Sequence, residues 1–104
     1  MEAEEKRTLE ESISNEKRKL RGYDEMQIEV DELAKSLRAC IEIVGSSISE
    51  PSLTSKLNDY MAENEKLRRR ATTKIYGDIK ATNNAIYEMS SKMTEEDESE
   101  EKEV

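Results

Sequence analysis

The sequence predicts an all-α protein: two long helices forming an antiparallel coiled-coil hairpin, itself part of a larger helical bundle made by oligomerisation. Three observations predict this. Two apolar stripes step by three and four residues, a short breaker segment separates them, and the composition can fill a narrow seam but not a wide core.

The first stripe runs Tyr23, Met26, Val30, Leu33, Leu37, Cys40, Val44, and the second runs Leu53, Leu57, Tyr60, Asn64, Leu67, Ala71. Steps of three and four are the a and d positions of a heptad. Read antiparallel, Val44 faces Leu53, Cys40 faces Leu57, Leu37 faces Tyr60, Leu33 faces Asn64, Val30 faces Leu67 and Met26 faces Ala71. The offset is the same in every pair, as a helical hairpin requires.

Residues 1–22 form a weakly patterned N-terminal helical extension, with Leu9, Ile13 and Leu20 as its large apolar residues. These lie off the register that starts at Tyr23, and Gly22 sits at the change. Residues 23–93 are the hairpin, with helix one running to about residue 44. Gly45 follows the last periodic residue, as a helix stop does. The turn spans 45–51, where Ser49 suits an N-cap and Pro51 the first helical turn. Helix two runs to about Met93. Leu67, Ala71, Ile75 and Ile79 are each four apart, which marks a register break before the rhythm resumes through Thr82, Ile86, Met89 and Met93. Ile75 faces Gly22, so both helices are expected to change phase together. Residues 94–104 carry seven acids and one Lys, and this acidic tail is expected to be disordered.

Charged residues make up 40 % of the chain and hydrophobic ones 34 %, with no Trp, Phe or His. A two-helix seam needs only about two apolar residues in seven, which this composition supplies. Three Gly and one Pro leave few breaks in long helices. The net charge is −8, most of it in the tail. No apolar run approaches the roughly 18 residues of a membrane span, so no membrane insertion is expected. The start, Met-Glu-Ala-Glu-Glu, lacks the basic and apolar regions of a secretory signal. A single cysteine excludes an internal disulfide framework. The expectation is an intracellular protein of cytoplasm or nucleus.

No residue pattern points to catalysis, so the chain is not expected to be an enzyme, and no catalytic, cofactor-binding or metal-binding residue is assigned. Cys40, on a d position without a His or second Cys, reads as a small buried hydrophobe. The acids read as solvated helix faces, and the tail lacks the Gly turn and ligand order of a calcium loop. Lys17, Arg18, Lys19 and Arg21 form one basic cluster, and Lys66, Arg68, Arg69 and Arg70 another. Flanking acids, negative charge and the lack of stacking aromatics argue against nucleic acid as a partner. The arginines instead lie opposite Glu25, Glu29, Asp31 and Glu32. Asn64 reads either as a buried amide that fixes register or as a wet one that reaches water. Thr94, followed by Glu95, Glu96 and Asp97, resembles an acid-directed kinase site.

Cys40-Ile41-Glu42-Ile43-Val44 is apolar over more than half its circumference, a stripe wide enough for two neighbours. Ile41 and Ile43 cannot both enter one seam, so with Cys40 and Val44 taken to fill it, one or both isoleucines must be exposed or covered by another chain. Leu37, Ile41, Ile43, Val44, Leu53, Leu57 and Met61 are therefore the expected protein-interaction residues. The expected function is that of a non-catalytic structural subunit or adaptor. Its partners are proteins: itself, as a homo-oligomer, or other coiled-coil subunits, as a hetero-complex. The alternative is an acidic chaperone-like binder of basic client proteins through the tail.

Overall fold

The computed structural model consists of two helices, α1 (Ala3–Ser46) and α2 (Pro51–Glu103). It describes the backbone of residues 2–103 and the side chains of residues 2–95. The all-α helical hairpin predicted from the two stripes is the fold. No helix is long and apolar enough to cross a membrane among the described residues.

Each helix end has a local cause. The carbonyl of Glu2 accepts the Lys6 amide at 3.1 Å and opens α1, with Glu4 and Glu5 in the first turn favouring the positive end of the helix dipole. α1 ends one residue after Gly45, without a left-handed glycine, since no described residue has a positive φ. The last turn tightens instead: Ser47 N–H donates to the Val44 carbonyl at 3.1 Å and Ile48 N–H to that of Gly45 at 3.3 Å. The Ser46 hydroxyl donates to the Ile43 carbonyl at 2.7 Å. A Cβ at Gly45 would stand an ordinary 3.7 Å from Leu57 Cδ1, so neither contact nor backbone conformation requires a glycine there. Across the connection, the carbonyl of Glu50 accepts both the Thr54 amide (3.0 Å) and its hydroxyl (3.1 Å). Glu50, not Ser49, is thus the N-cap, and Pro51 takes the first helical position where its missing N–H costs nothing. α2 continues beyond the expected end near Met93 to Glu103. Side chains from residue 96 onward lie outside the described residues, and the expectation for the acidic tail falls there.

The chain forms two compact units. One comprises Met1–Asp24 with Gly77–Val104, and the other Glu25–Tyr76. In the first unit, α1 half-buries Leu9, Ile13, Glu16, Leu20 and Tyr23, which step by three and four. α2 half-buries Asp78, Ile79, Ala85, Ile86, Met89 and Met93 around Thr82, which is only 6 % exposed. The Thr82 hydroxyl meets its hydrogen-bonding need by donating to the Asp78 carbonyl at 2.8 Å.

The second unit carries the connection between the helices. Its α1 half-buries Gln27, Val30, Asp31, Ala34, Ile41 and Gly45, and its α2 half-buries Leu57, Met61, Asn64, Arg68, Ala71 and Thr72. Ile75, 7 % exposed, is its buried residue. This seam keeps Val30, Leu57, Asn64 and Ala71 from the apolar stripes and shifts the alternate positions by one residue. Gln27, Ala34 and Ile41 replace Met26, Leu33 and Cys40, and Met61 and Arg68 replace Tyr60 and Leu67. Polar bonds hold it. Asn64 Nδ2 donates to the Ala34 carbonyl at 3.2 Å, and Gln27 Nε2 donates to Thr72 Oγ1 at 3.0 Å and Asp31 Oδ1 at 3.2 Å.

The expected phase changes disappear with this correction. On α1 the step from Tyr23 to Gln27 is four and the next, to Val30, is three, as upstream. On α2, Leu57, Met61, Asn64, Arg68, Ala71, Ile75, Asp78, Thr82, Ala85 and Met89 alternate four and three throughout. A reading confined to large apolar side chains passes over Gln27, Arg68 and Asp78, and so finds breaks that the helices lack.

Candidate interaction surface

Displacing the seam by one residue leaves the most apolar stripe of each helix outside it. In the second unit, Met26 (52 %), Leu33 (64 %) and Val44 (48 %) precede the half-buried Gln27, Ala34 and Gly45 on α1, and Cys40, also exposed, precedes Ile41. Tyr60 (62 %) and Leu67 (55 %) likewise precede Met61 and Arg68 on α2. One residue back along a helix is a rotation of about 100°. The sense of rotation is the same on both helices, and in an antiparallel pair equal senses bring the two stripes to the same side. Leu37 and Leu53 lie between the stripe and the seam at 45 % and 40 % exposure. This unit therefore has one continuous apolar face built from both helices.

The opposite side is charged for the same geometric reason. One residue past the seam stand Asp31, Lys35 and Ala62, then Glu65 and Arg69. Together with Arg38 they line a shallow groove beside the seam. The Arg68 guanidinium clasps Glu65 through two bonds of 2.6 and 3.0 Å and reaches Asp31 across the seam at 3.6 Å, while Arg69 Nε meets Glu65 at 3.2 Å. The hydrogen bond from Arg68, aided by Arg69, pulls the Glu65 carboxyl from the ordinary 4.5 to about 2. Arg68 thus serves the hairpin.

The expected interaction residues divide between surface and seam. Leu37, Ile43, Val44 and Leu53 are exposed, Ile43 most so at 68 %, whereas Ile41, Leu57 and Met61 are half-buried. Of the two isoleucines Ile43 is the exposed one, and the correction falls on Cys40 and Val44, which stand outside the seam while Ile41 lies in it. Cys40 is accordingly not the small buried hydrophobe its d position implied. Met26, Leu33, Tyr60 and Leu67 were assigned to the seam and instead carry the apolar face. Their signal was present as two adjacent apolar positions per heptad, of which a two-helix seam buries one.

Asn64 resolves as a half-buried amide bonded to the facing main chain. Thr94 is exposed, and its hydroxyl donates to the Ser90 carbonyl at 3.1 Å. Among the described residues, no group of three His, Cys, Asp or Glu side chains is placed to hold a metal ion. No protein-family model, curated protein or solved structure matches this chain significantly.

Proposed function

We propose that the chain is a non-catalytic assembly subunit or adaptor that binds helical protein surfaces through the apolar face of residues 25–76. One observation carries this reading. Leu33, Tyr60 and Leu67 are each more than half exposed on one side of a hairpin whose own seam is built from Gln27, Ala34, Asn64 and Arg68. Contiguous exposed apolar surface of this kind carries an aggregation hazard unless another chain covers it. An elongated apolar face of this kind suits an amphipathic helix or helix pair.

The experiment is affinity capture with the full chain as bait, compared with Leu33→Asp and Leu67→Asp variants. Both positions lie outside the seam, so the variants keep their helix content by circular dichroism. The expected result is that the captured proteins are lost with both variants and retained when residues 94–104 are deleted. Capture that survives both substitutions and fails on deletion of the tail overturns the reading in favour of the tail as the binding element.

A further inference from the structure

The apolar face of residues 25–76 has features that name its occupant, and the argument rests on the interaction reading above. Its exposed side chains, Met26, Leu33, Leu37, Cys40 and Val44 with Leu53, Tyr60 and Leu67, together leave on the order of 700 Å² open, close to the ~800 Å² that each partner of a stable protein–protein complex buries. The face is built by two antiparallel helices, five side chains from α1 and three from α2. Two copies can therefore be laid face to face as a four-helix bundle with two-fold symmetry.

The charges at the rim choose between the two ways of doing so. On α1 the residue just beyond the stripe, at the level of the Gln27–Thr72 bond, is Glu29. On α2 the residues just beyond it at the same level are Arg70 and Lys74. All three are exposed. If the two copies point their connections the same way, α1 of one lies along α2 of the other with levels preserved. Glu29 then meets Arg70 and Lys74 of the second copy, twice over by symmetry. If the copies point opposite ways, α1 lies along α1, and Glu29 faces the stretch Cys40-Ile41-Glu42-Ile43-Val44, which holds no cation. Opposite charges flanking an apolar helical contact set register and orientation, as e and g positions do in coiled coils.

We infer that this face binds a second copy of the chain in a two-fold four-helix bundle, connections at the same end, α1 against α2, with Glu29 of each copy paired to Arg70 and Lys74 of the other.

The test is sedimentation equilibrium of the full chain, with Leu33→Asp, Glu29→Lys, the pair Arg70→Glu/Lys74→Glu, and all three charge reversals together. The expected native mass is twice the 12.0 kDa of one chain. Leu33→Asp should be monomeric with unchanged helix content. Reversing either side should weaken association about tenfold, because it replaces the symmetric attractions by repulsions. Reversing both sides should recover the native affinity, and an equimolar mixture of the two one-sided variants should form mixed dimers. A native chain that stays monomeric up to about 0.1 mM overturns the inference. So does a dimer indifferent to Leu33→Asp, and so does a chain reversed on both sides that associates no better than the one-sided variants. A monomeric native chain that still loses its captured partners on Leu33→Asp leaves the adaptor reading standing without the homodimer, so the two ideas fail separately.

Discussion

The side-chain amide of Asn64 donates to the main-chain carbonyl of Ala34, 3.2 Å away on the facing helix. The acceptor is backbone, so its position does not depend on a rotamer, and a slip of one helix along the other removes it from reach. A polar residue at a seam position commonly fixes register in this way.

Replacing Asn64 with Ala removes the donor and leaves a small void at a half-buried position. The Ala34 carbonyl lies within α1 and retains its helical bond. The expected loss is about 1 kcal/mol of unfolding free energy, the usual net worth of one such hydrogen bond. Urea denaturation measures it, and the Asn64→Ala midpoint should fall without a change in slope.

Gln27 makes the opposite case. Its Nε2 donates twice, yet its Oε1 is buried without a partner. An unmatched buried acceptor costs roughly 1–3 kcal/mol, which offsets what the two donated bonds contribute. Replacing both members of the cross-helix bond by apolar residues of similar shape, Gln27→Met with Thr72→Val, should therefore give a chain at least as stable as the native one. A melting temperature several degrees below native would show that the amide contributes more than its unmatched oxygen costs.

Much of the fold was legible because breakers and heptads are local signals. Pro51 marks the start of α2, although the cap is Glu50 rather than Ser49, and the three-four rhythm on either side makes two helices meet. The choice of seam was not legible. Each helix of residues 25–76 offers two stripes one residue apart, and the more apolar stripe is the natural choice from sequence. What decides for the other is the match between helices: Asn64 finds the Ala34 carbonyl, Gln27 finds Thr72, and Arg68 finds Asp31. None of those pairings is visible in either helix alone. The interaction residues suffered for the same reason, with Leu33 and Cys40 placed inward.

Glu65 ties stability to pH. Its carboxyl lies near 2 in the folded chain against an ordinary 4.5, so below pH 4.5 the unfolded chain binds the proton first. The stability that the Arg68 pairing lends is whole above pH 4.5 and disappears as the pH falls through about 2. The native chain should exceed Glu65→Gln in melting temperature by a constant margin near neutral pH, and the two should converge at pH 2. Because the pair is still partly open to solvent, added salt should shrink that margin at every pH.

Gly22 and Gly77 sit within helices, and a Cβ on either would meet nothing within 4 Å. Neither has a positive φ. Gly22→Ala and Gly77→Ala should each stabilise the chain by about 0.5–1 kcal/mol through the lower backbone entropy of the unfolded state. Thermal melts of both single variants check this, and a loss of stability in either would mean that its glycine serves a contact the folded hairpin does not show.

A separation by one residue between seam and apolar face has a genetic meaning. Leu33 and Ala34 are neighbours in the chain, as are Tyr60 and Met61, yet one of each pair belongs to the hairpin's own interior and the other to what it offers outward. Selection can therefore remodel the offered surface codon by codon while the hairpin persists beneath it. A lineage that changed Leu33, Tyr60 and Leu67 together would acquire a different companion without having to evolve a different fold.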